Sequence, residues 1–198
     1  MTPNLAIVKF WTYDPNVNSY HHGNLRRTLL ASAAALVAEA GAEDLSLRRL
    51  AAGAGVSHAA PAHHFGDRRG LFTALAAEGF DLLADALGNE AGALLEQAVA
   101  YVRFALDHPG HYAVMFDRSL VDSADAGLTE ARSRAAQALA EGLNTVETDD
   151  TDAATLAAFS LVHGFATLWL NGAVAERYRL RDPLDLTRMI GRQLFGST

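Results

Sequence analysis

The spacing of the apolar residues constrains the fold of this 198-residue chain more than any other feature. A first stripe has members separated by four, four, three and four residues, which is the repeat of one helical face. Its members are Leu25, Leu29, Ala33, Leu36 and Ala40. Asn24 is a suitable N-cap for this helix, and Gly41 is suited to end it. The same repeat continues without an alternating strand pattern of useful length, which predicts an all-α fold.

About nine helices are expected in all. Two short helices follow the first, one capped by Ser46 and one by Ser57, and Gly55 separates them. Pro61 lies in or just after the first turn of the third helix, where a proline removes few hydrogen bonds. Six further helices are expected over residues 69–87, 90–107, 110–117, 124–143, 152–177 and 183–195.

Composition limits the classes of protein to which the chain can belong. Hydrophobic residues make up 50% and charged residues 20%, which is enough apolar material for a core. The absence of cysteine excludes disulfide scaffolds, thiolate zinc sites and cysteine nucleophiles, and it suits a cytoplasmic protein. No stretch approaches the roughly 18 unbroken apolar residues of a membrane helix, so no membrane partner is expected. Residues 1–20 lack the features of a signal peptide and are predicted to form a flexible arm.

Charge is distributed unevenly along the chain. Residues 1–72 carry seven Lys and Arg against five Asp and Glu, whereas the remainder carries nine against eighteen. The net charge of −7 argues against a protein that coats nucleic acid over its whole surface. A mildly basic head on an acidic body indicates that only the head meets a polyanion.

The second and third helices form the pattern of a helix-turn-helix. Gly55 lies at the turn, where the chain needs a left-handed residue, and Ala51 is small enough for the two helices to cross closely. In this motif the second helix of the pair enters the major groove of DNA. The same spacing is also common in helical hairpins that only pack.

The segment "GVSHAAPAHHF" carries three histidines, which raises the alternative of a metal site. Helical metal pairs favour a spacing of four residues, whereas His58 and His63 are five apart and point roughly 140° away from each other. His63 and His64 are adjacent and diverge, and the segment contains no Asp or Glu. Neither a metal ion nor another cofactor is therefore expected.

The flanking residues resemble the N-terminal domain of the TetR family of bacterial transcriptional regulators. The resemblance covers roughly residues 20–75 and rests on "HHGNLRRTLLASAAALVAEAG" and "LSLRRLAAGAGVSHAAPAHHFGDRRGLF". Further along, "HPGHYAVMF" and "SLVHGFATLWLNGA" resemble the ligand-binding domain of a TetR subgroup with a Trp-His-Gly signature. Two positions depart from the family pattern: Ala62 replaces an aromatic residue, mostly tyrosine, and Ser160 replaces a bulky residue.

The resemblance implies a DNA-binding domain over residues 21–68. His58, Ala59 and Ala60 would face base edges, and Arg48 would reach a guanine or a phosphate. The remaining members of the set would lie near the DNA backbone, including amides at the start of the first helix. The complete set is Asn24, Ser46, Leu47, Arg48, His58, Ala59, Ala60, His63, His64 and Arg68.

Residues 69–198 are expected to form a ligand-binding and dimerisation domain. The resemblance implies a pocket between its helices that admits a small apolar or amphipathic effector. Aromatic residues at helical spacing are as often plain core as pocket wall. The candidate wall residues are Tyr101, Phe104, His108, Tyr112, Met115, Phe116, Phe159, His163 and Trp169.

The last two helices, over 152–177 and 183–195, resemble the pair that forms a four-helix bundle with a second copy in this family. The apolar surface of this bundle would come from Phe159, Leu168, Leu170, Met189, Ile190 and Leu194. A dimer places two recognition helices about one duplex turn apart, which suits a near-palindromic operator in double-stranded DNA.

The function expected from these features is that of a homodimeric, ligand-responsive repressor. One alternative is a helical ligand-binding or interaction module with weak or lost DNA binding, which Ala62 favours. A metal-dependent hydrolase is a remote alternative, because the chain contains no HExxH, GxSxG or Walker-type motif. Histidine gains its charge near neutral pH, so operator affinity is expected to fall as pH rises from about 6 to 8.

Overall fold

The computed structural model describes residues 21–90, 94–143 and 150–195, which form ten α-helices and no strand. The all-α prediction is therefore confirmed, while the predicted N-terminal arm lies outside the described residues. The helices are α1 (His21–Ala40), α2 (Leu47–Gly53), α3 (Ala59–Phe65), α4 (Arg68–Gly88), α5 (Leu94–Asp107), α6 (Pro109–Met115), α7 (Ala126–Leu143), α8 (Thr151–Leu170), α9 (Glu176–Arg179) and α10 (Pro183–Phe195).

The first helix ends at the predicted residue but begins earlier than predicted. Gly41 has a φ of 83°, and its amide donates to the carbonyl of Val37 over 2.9 Å, so the predicted stop is confirmed. The predicted N-cap is wrong, because α1 already begins at His21 and Asn24 lies inside its first turns. An earlier start was hidden from sequence reasoning because the histidines before Asn24 give no capping signal.

The long helix α4 is the central element of the fold. It packs against α5, α6 and α7, and it also contacts α1 and α3 of the N-terminal part. Asp67 caps it, since the carboxylate accepts from the amide of Gly70 over 2.8 Å. The main cluster of buried side chains includes Leu50 in α2 and Tyr101 in α5. The N-terminal head and the helical body therefore share a continuous core.

The predicted helix over 152–177 is wrong at its C-terminal end. The helix α8 ends at Leu170, where Gly172 has a φ of 71° and its amide donates to Trp169 over 3.1 Å. The chain then forms the single turn of α9, which raises the number of described helices from about nine to ten. The signal was present as Asn171-Gly172, a pair that favours a left-handed helix end.

By length and composition, α8 is the one described helix that could cross a membrane. The search for an unbroken apolar run missed it because polar residues such as Ser160 and His163 interrupt it. Only 17% of its apolar window is buried within the chain. A single helix of this kind is weak evidence for a membrane span, but its exposed apolar side needs an explanation.

Candidate nucleic-acid interface and apolar cavity

The helices α2 and α3 form a helix-turn-helix with the local geometry expected from the sequence. The hydroxyl of Ser46 accepts from the amide of Arg49 over 3.1 Å and caps α2. Gly55 has a φ of 66°, in the region that glycine tolerates, and Ala51 at the crossing is fully buried. The amide of Val56 donates to the carbonyl of Ala51 over 3.0 Å and closes the turn.

The helix α3 is divided into a buried and an exposed face. Pro61 and Phe65 are buried and hold the helix on the head, whereas Ala59, Ala62 and His63 are exposed. The predicted Ser57 cap is wrong, because the residue before α3 is His58, which makes no capping bond through its side chain. His58 is exposed beside the exposed face of α3. Ala60 and His64 are half-buried at the edges of this face.

The histidines of this segment have contacts that suit a helix surface. The rings of His63 and His64 lie edge to face with centroids 5.4 Å apart, and His64 also lies 6.2 Å from Phe65. Among the described residues, no group of three or more His, Cys, Asp or Glu is placed to hold a metal ion.

The three cations near α2 have different surroundings. Arg48 is exposed and makes no ion pair with a described residue, whereas Arg49 donates to the carbonyl of Asp44 over 3.3 Å. Arg68 donates to the carbonyl of Leu45 over 2.9 Å and to that of Ala42 over 2.7 Å. Arg68 thus connects α4 to the loop after α1, while Arg48 remains available to a partner.

The arrangement gives Arg68 a structural role that the sequence did not suggest. Its guanidinium also lies over the Phe72 ring at 4.7 Å and is half-buried. The predicted phosphate contact of Arg68 remains untested, but two of its donors already bind carbonyl oxygens of the chain. Of the other predicted DNA contacts, Ser46 uses its oxygen as a helix cap, and Leu47 packs against the core.

A cavity of about 490 Å³ lies in the body of the protein. Its walls come from α4, α5, α7 and α8, with Phe116 from the end of α6. Among its lining residues, apolar side chains predominate. They are Phe80, Leu83, Leu87, Tyr101, Phe116, Arg132, Ala135, Ala136, Leu139, Asp152, Thr155, Leu156 and Phe159.

A cluster of hydrogen-bonded side chains closes one side of this cavity. The hydroxyls of Tyr101 and Tyr112 each lie 3.0 Å from Nδ1 of His163. The Tyr112 hydroxyl also lies 3.0 Å from the Thr167 hydroxyl and donates to the His163 carbonyl over 3.2 Å. The rings of Phe159 and His163 are stacked at 5.2 Å.

Burial sets the protonation states within this cluster. Loss of solvent raises the pKa of Tyr101 and of Tyr112, and it lowers the pKa of His163. The hydroxyls therefore stay protonated and the imidazole stays neutral at physiological pH. The cluster is a neutral, internally bonded wall.

The predicted wall residues fall into three groups. Tyr101, Phe116 and Phe159 line the cavity, and Tyr112 and His163 belong to the polar cluster behind them. The others lie elsewhere: Phe104 and Met115 are buried in the core, the ring of His108 is tilted against that of Phe104 at 5.3 Å, and Trp169 lies against Phe165 and Arg179.

Two walls of the cavity escaped sequence reasoning. Phe80, Leu83 and Leu87 on α4 form one helical stripe, and Ala135, Ala136 and Leu139 on α7 form another. Each stripe was visible in the sequence, but such stripes usually indicate core. The two stripes line the cavity because of the way α4 and α7 cross, and this crossing is a property of the fold that the sequence pattern does not give.

The helix α6 connects the cavity to the head. Tyr112 on α6 belongs to the polar cluster, while Gly110 packs directly against the backbone of Ala34 in α1. His111, also on α6, lies 3.0 Å from a carboxylate oxygen of Glu78 on α4. One short helix thus contacts the cavity side, the central helix and the first helix of the head.

The helices α8 and α10 carry an exposed apolar surface. Leu168 is 51% exposed and Met189 is 44% exposed, although both are large hydrophobic residues. Leu170 is also exposed, whereas Ile190 is half-buried and the side chain of Leu194 lies outside the described residues. The predicted placement of Phe159 on this surface is wrong, because its ring faces the cavity and stacks on His163.

Comparison with known proteins places the chain in a family. Residues 29–75 match the model of bacterial regulatory proteins of the tetR family, and residues 94–194 match the model of a tetracyclin repressor-like C-terminal domain. The chain belongs to the TetR family of bacterial regulatory proteins, and it is a ligand-responsive, DNA-binding regulator of transcription. The predicted Trp-His-Gly subgroup stays a prediction.

Solved structures have the same fold. A protein of unknown function from Rhodococcus sp. RHA1 is 34% identical, with a TM-score of 0.73 over 91% of this chain and 97% of that chain. A tetR-family regulatory protein from Rhodococcus RHA1 is 20% identical, with a TM-score of 0.68 over 87% and 97%. AibR, solved with isovaleryl coenzyme A and operator DNA, is 14% identical, with a TM-score of 0.67 over 87% and 99%. The curated proteins with which the sequence was compared contain no match.

Proposed function

We propose that the protein is a homodimeric cytoplasmic repressor that leaves its operator when a small molecule enters the cavity of the body. The observation that carries this proposal is the apolar cavity of about 490 Å³, which lies next to the polar cluster around His163. This cluster includes Tyr112 of α6, and α6 also packs on the head. Residues 21–68 serve as the DNA-binding domain, and residues 69–198 serve as the ligand-binding and dimerisation domain. No catalytic role is assigned to any residue.

In this proposal α3 enters the major groove. Its exposed face is small at Ala59 and Ala62, which permits close approach to the groove floor, and His58 and His63 flank that face. Arg48 lies on the neighbouring helix with an exposed guanidinium that suits either a guanine or a phosphate. The absence of an aromatic ring at Ala62 removes one contact with phosphate without exposing the core.

Dimerisation would bury the apolar surface of α8 and α10. Leu168 and Met189 are too exposed to be explained by packing within one chain. Ser160 and Gly164 lie on the same side of α8 as Leu168 and are small enough for two copies of the helix to approach closely. A dimer of this kind supplies the two recognition helices that a near-palindromic operator requires.

Release from DNA would follow from a shift between two dimer geometries. A ligand that fills the cavity displaces Tyr101 or Phe116 and so acts on the hydrogen bonds that hold Tyr112. Because α6 touches α1 at Gly110 and Ala34, a movement of α6 changes the position of the head. To change the dimer from mostly bound to mostly free requires a differential affinity of about 3 to 5 kcal/mol.

The test is a footprint on the DNA upstream of the protein's own gene, with wild type and Arg48→Ala compared at several salt concentrations. We expect wild type to protect a near-palindromic site, with an affinity that falls as salt rises, and we expect Arg48→Ala to protect it weakly. If wild type protects no sequence over competitor DNA, the chain is instead a ligand-binding module that has lost DNA binding, as Ala62 would favour.

A further inference from the structure

The cavity is lined almost entirely by apolar side chains, with two charged residues among them. Arg132 on α7 and Asp152 in the first turn of α8 are the charged residues in the described part of its lining. The hydroxyl of Tyr101, deeper in the cavity, needs no hydrogen bond from a ligand because it is already bonded to His163. The cavity therefore suits a ligand with one polar head and an apolar body.

The guanidinium of Arg132 lacks the described acceptors that the exposed Arg134 and the half-buried Arg188 have. It lies 5.5 Å from the centre of the Phe80 ring and is half-buried, and it makes no hydrogen bond or ion pair with a described residue. By contrast, Arg134, two positions further along α7, is paired with both Asp81 and Glu130. Arg188 is likewise paired, with Glu96 and Asp185.

Asp152 is a weaker candidate for a ligand contact. Its side chain is exposed, and it lies in the first turn of α8, where the amide dipoles of the helix already favour a negative charge. Arg132 has no such compensation, since the face of Phe80 satisfies none of its N–H donors. The group that would satisfy these donors is an anionic, planar acceptor.

We propose that the effector is an amphipathic carboxylate, whose head binds Arg132 in a two-pronged hydrogen-bonded pair and whose hydrocarbon body fills the cavity between Phe80 and Phe159. This inference rests on the proposed function, in which the cavity is the effector site. A guanidinium and a carboxylate match in shape, and Arg132 can keep its contact with Phe80 while it binds. The volume of about 490 Å³ lies within the range of pockets that hold small organic ligands.

The experiment uses the full chain and three single-chain probes of similar chain length that differ in their heads: decanoate, decanol and decyltrimethylammonium. Binding of each probe, below its micelle concentration, is measured by titration calorimetry for wild type, Arg132→Gln and Arg103→Gln. Arg103 is an exposed arginine on α5 and serves as the matched control. We expect decanoate to bind wild type most tightly and to lose about tenfold or more in affinity in Arg132→Gln, with Arg103→Gln unchanged.

Two further variants separate the head from the body of the ligand. Arg132→Lys keeps the charge but loses the planar fork, so we expect it to recover part of the affinity for decanoate. Ala136→Trp places a ring at an exposed position of the lining, and we expect it to weaken decanoate and decanol alike. The affinity for decanol should not fall in Arg132→Gln.

Three results would overturn the proposal. The first is equal affinity for decanoate and decanol with no effect of Arg132→Gln. The second is a preference for decyltrimethylammonium that Asp152→Asn abolishes, which would indicate a cationic effector. The third is no binding of any probe by wild type. Operator protection by wild type is measured in parallel without a probe. If wild type does not protect the operator, the repressor function is overturned. If wild type protects it and any of these three results is found, only the proposed class of ligand is overturned.

Discussion

Gly110 at the start of α6 lies directly against the backbone of Ala34 in α1, so closely that a β-carbon on Gly110 would overlap the Ala34 carbonyl group. The contact joins the helical body to the first helix of the DNA-binding head. A side chain of any size at residue 110 would have to push the two helices apart, because the obstruction is backbone and cannot rotate away.

We therefore expect Gly110→Ala to lower the free energy of unfolding by about 1 to 3 kcal/mol. Gly53→Ala is the control, because a β-carbon there meets nothing within 4 Å and α2 gains a better helix former. Urea unfolding of both variants measures the difference. A Gly110→Ala variant as stable as Gly53→Ala would contradict the tight contact between head and body.

Arg48 and Arg68 are expected to separate DNA binding from stability. Arg68→Ala removes hydrogen bonds to the Leu45 and Ala42 carbonyls and should cost about 1 to 3 kcal/mol of stability. Arg48→Ala removes an exposed guanidinium that pairs with no described residue, and it should change stability by less than about 0.5 kcal/mol while it weakens operator binding. Thermal unfolding and fluorescence anisotropy on the protected DNA site give both values. A loss of stability in Arg48→Ala, together with unchanged stability in Arg68→Ala, would refute this division of roles.

The head could be predicted from the sequence to a much greater extent than the cavity. Ser46, Gly41 and Gly55 are local signals, each acting within four residues of itself, so the helix-turn-helix was readable before any packing was known. The cavity depends on Phe80, Arg132 and other residues far apart in sequence, whose helices meet only in the fold. Arg68 shows the same limit, because its acceptors are main-chain carbonyls more than twenty residues away.

The pKa of His163 is lowered by burial, and this shift makes stability depend on pH. Below about pH 6.5 the unfolded chain binds a proton at this histidine that the folded chain binds less readily, so the stabilising contribution is present above that pH and is lost as pH falls. We expect wild type to lose more stability between pH 7.5 and 5.5 than His163→Asn does. Urea unfolding at the two pH values measures this, and equal losses in the two proteins would contradict a neutral, half-buried His163.

Leu168 is expected to hold two copies of the chain together. Leu168→Glu places a charge on the exposed apolar surface of α8, where it would be buried unpaired in a dimer but solvated in a monomer. Light scattering after gel filtration should show a dimer for wild type and a folded monomer for Leu168→Glu. Ala52→Glu, at an exposed position of α2, should leave the dimer intact. A dimeric Leu168→Glu protein would place the interface elsewhere.

The exposed histidines beside α3 are expected to contribute to operator binding. His58 and His63 flank the face of α3 that would enter the groove, where their ring nitrogens would bond to base edges or phosphates. The double variant His58→Gln/His63→Gln should therefore bind the operator more weakly than wild type, and it should still bind because Arg48 stays in place. Fluorescence anisotropy at constant salt measures both affinities. An affinity equal to that of wild type would remove both histidines from the interface.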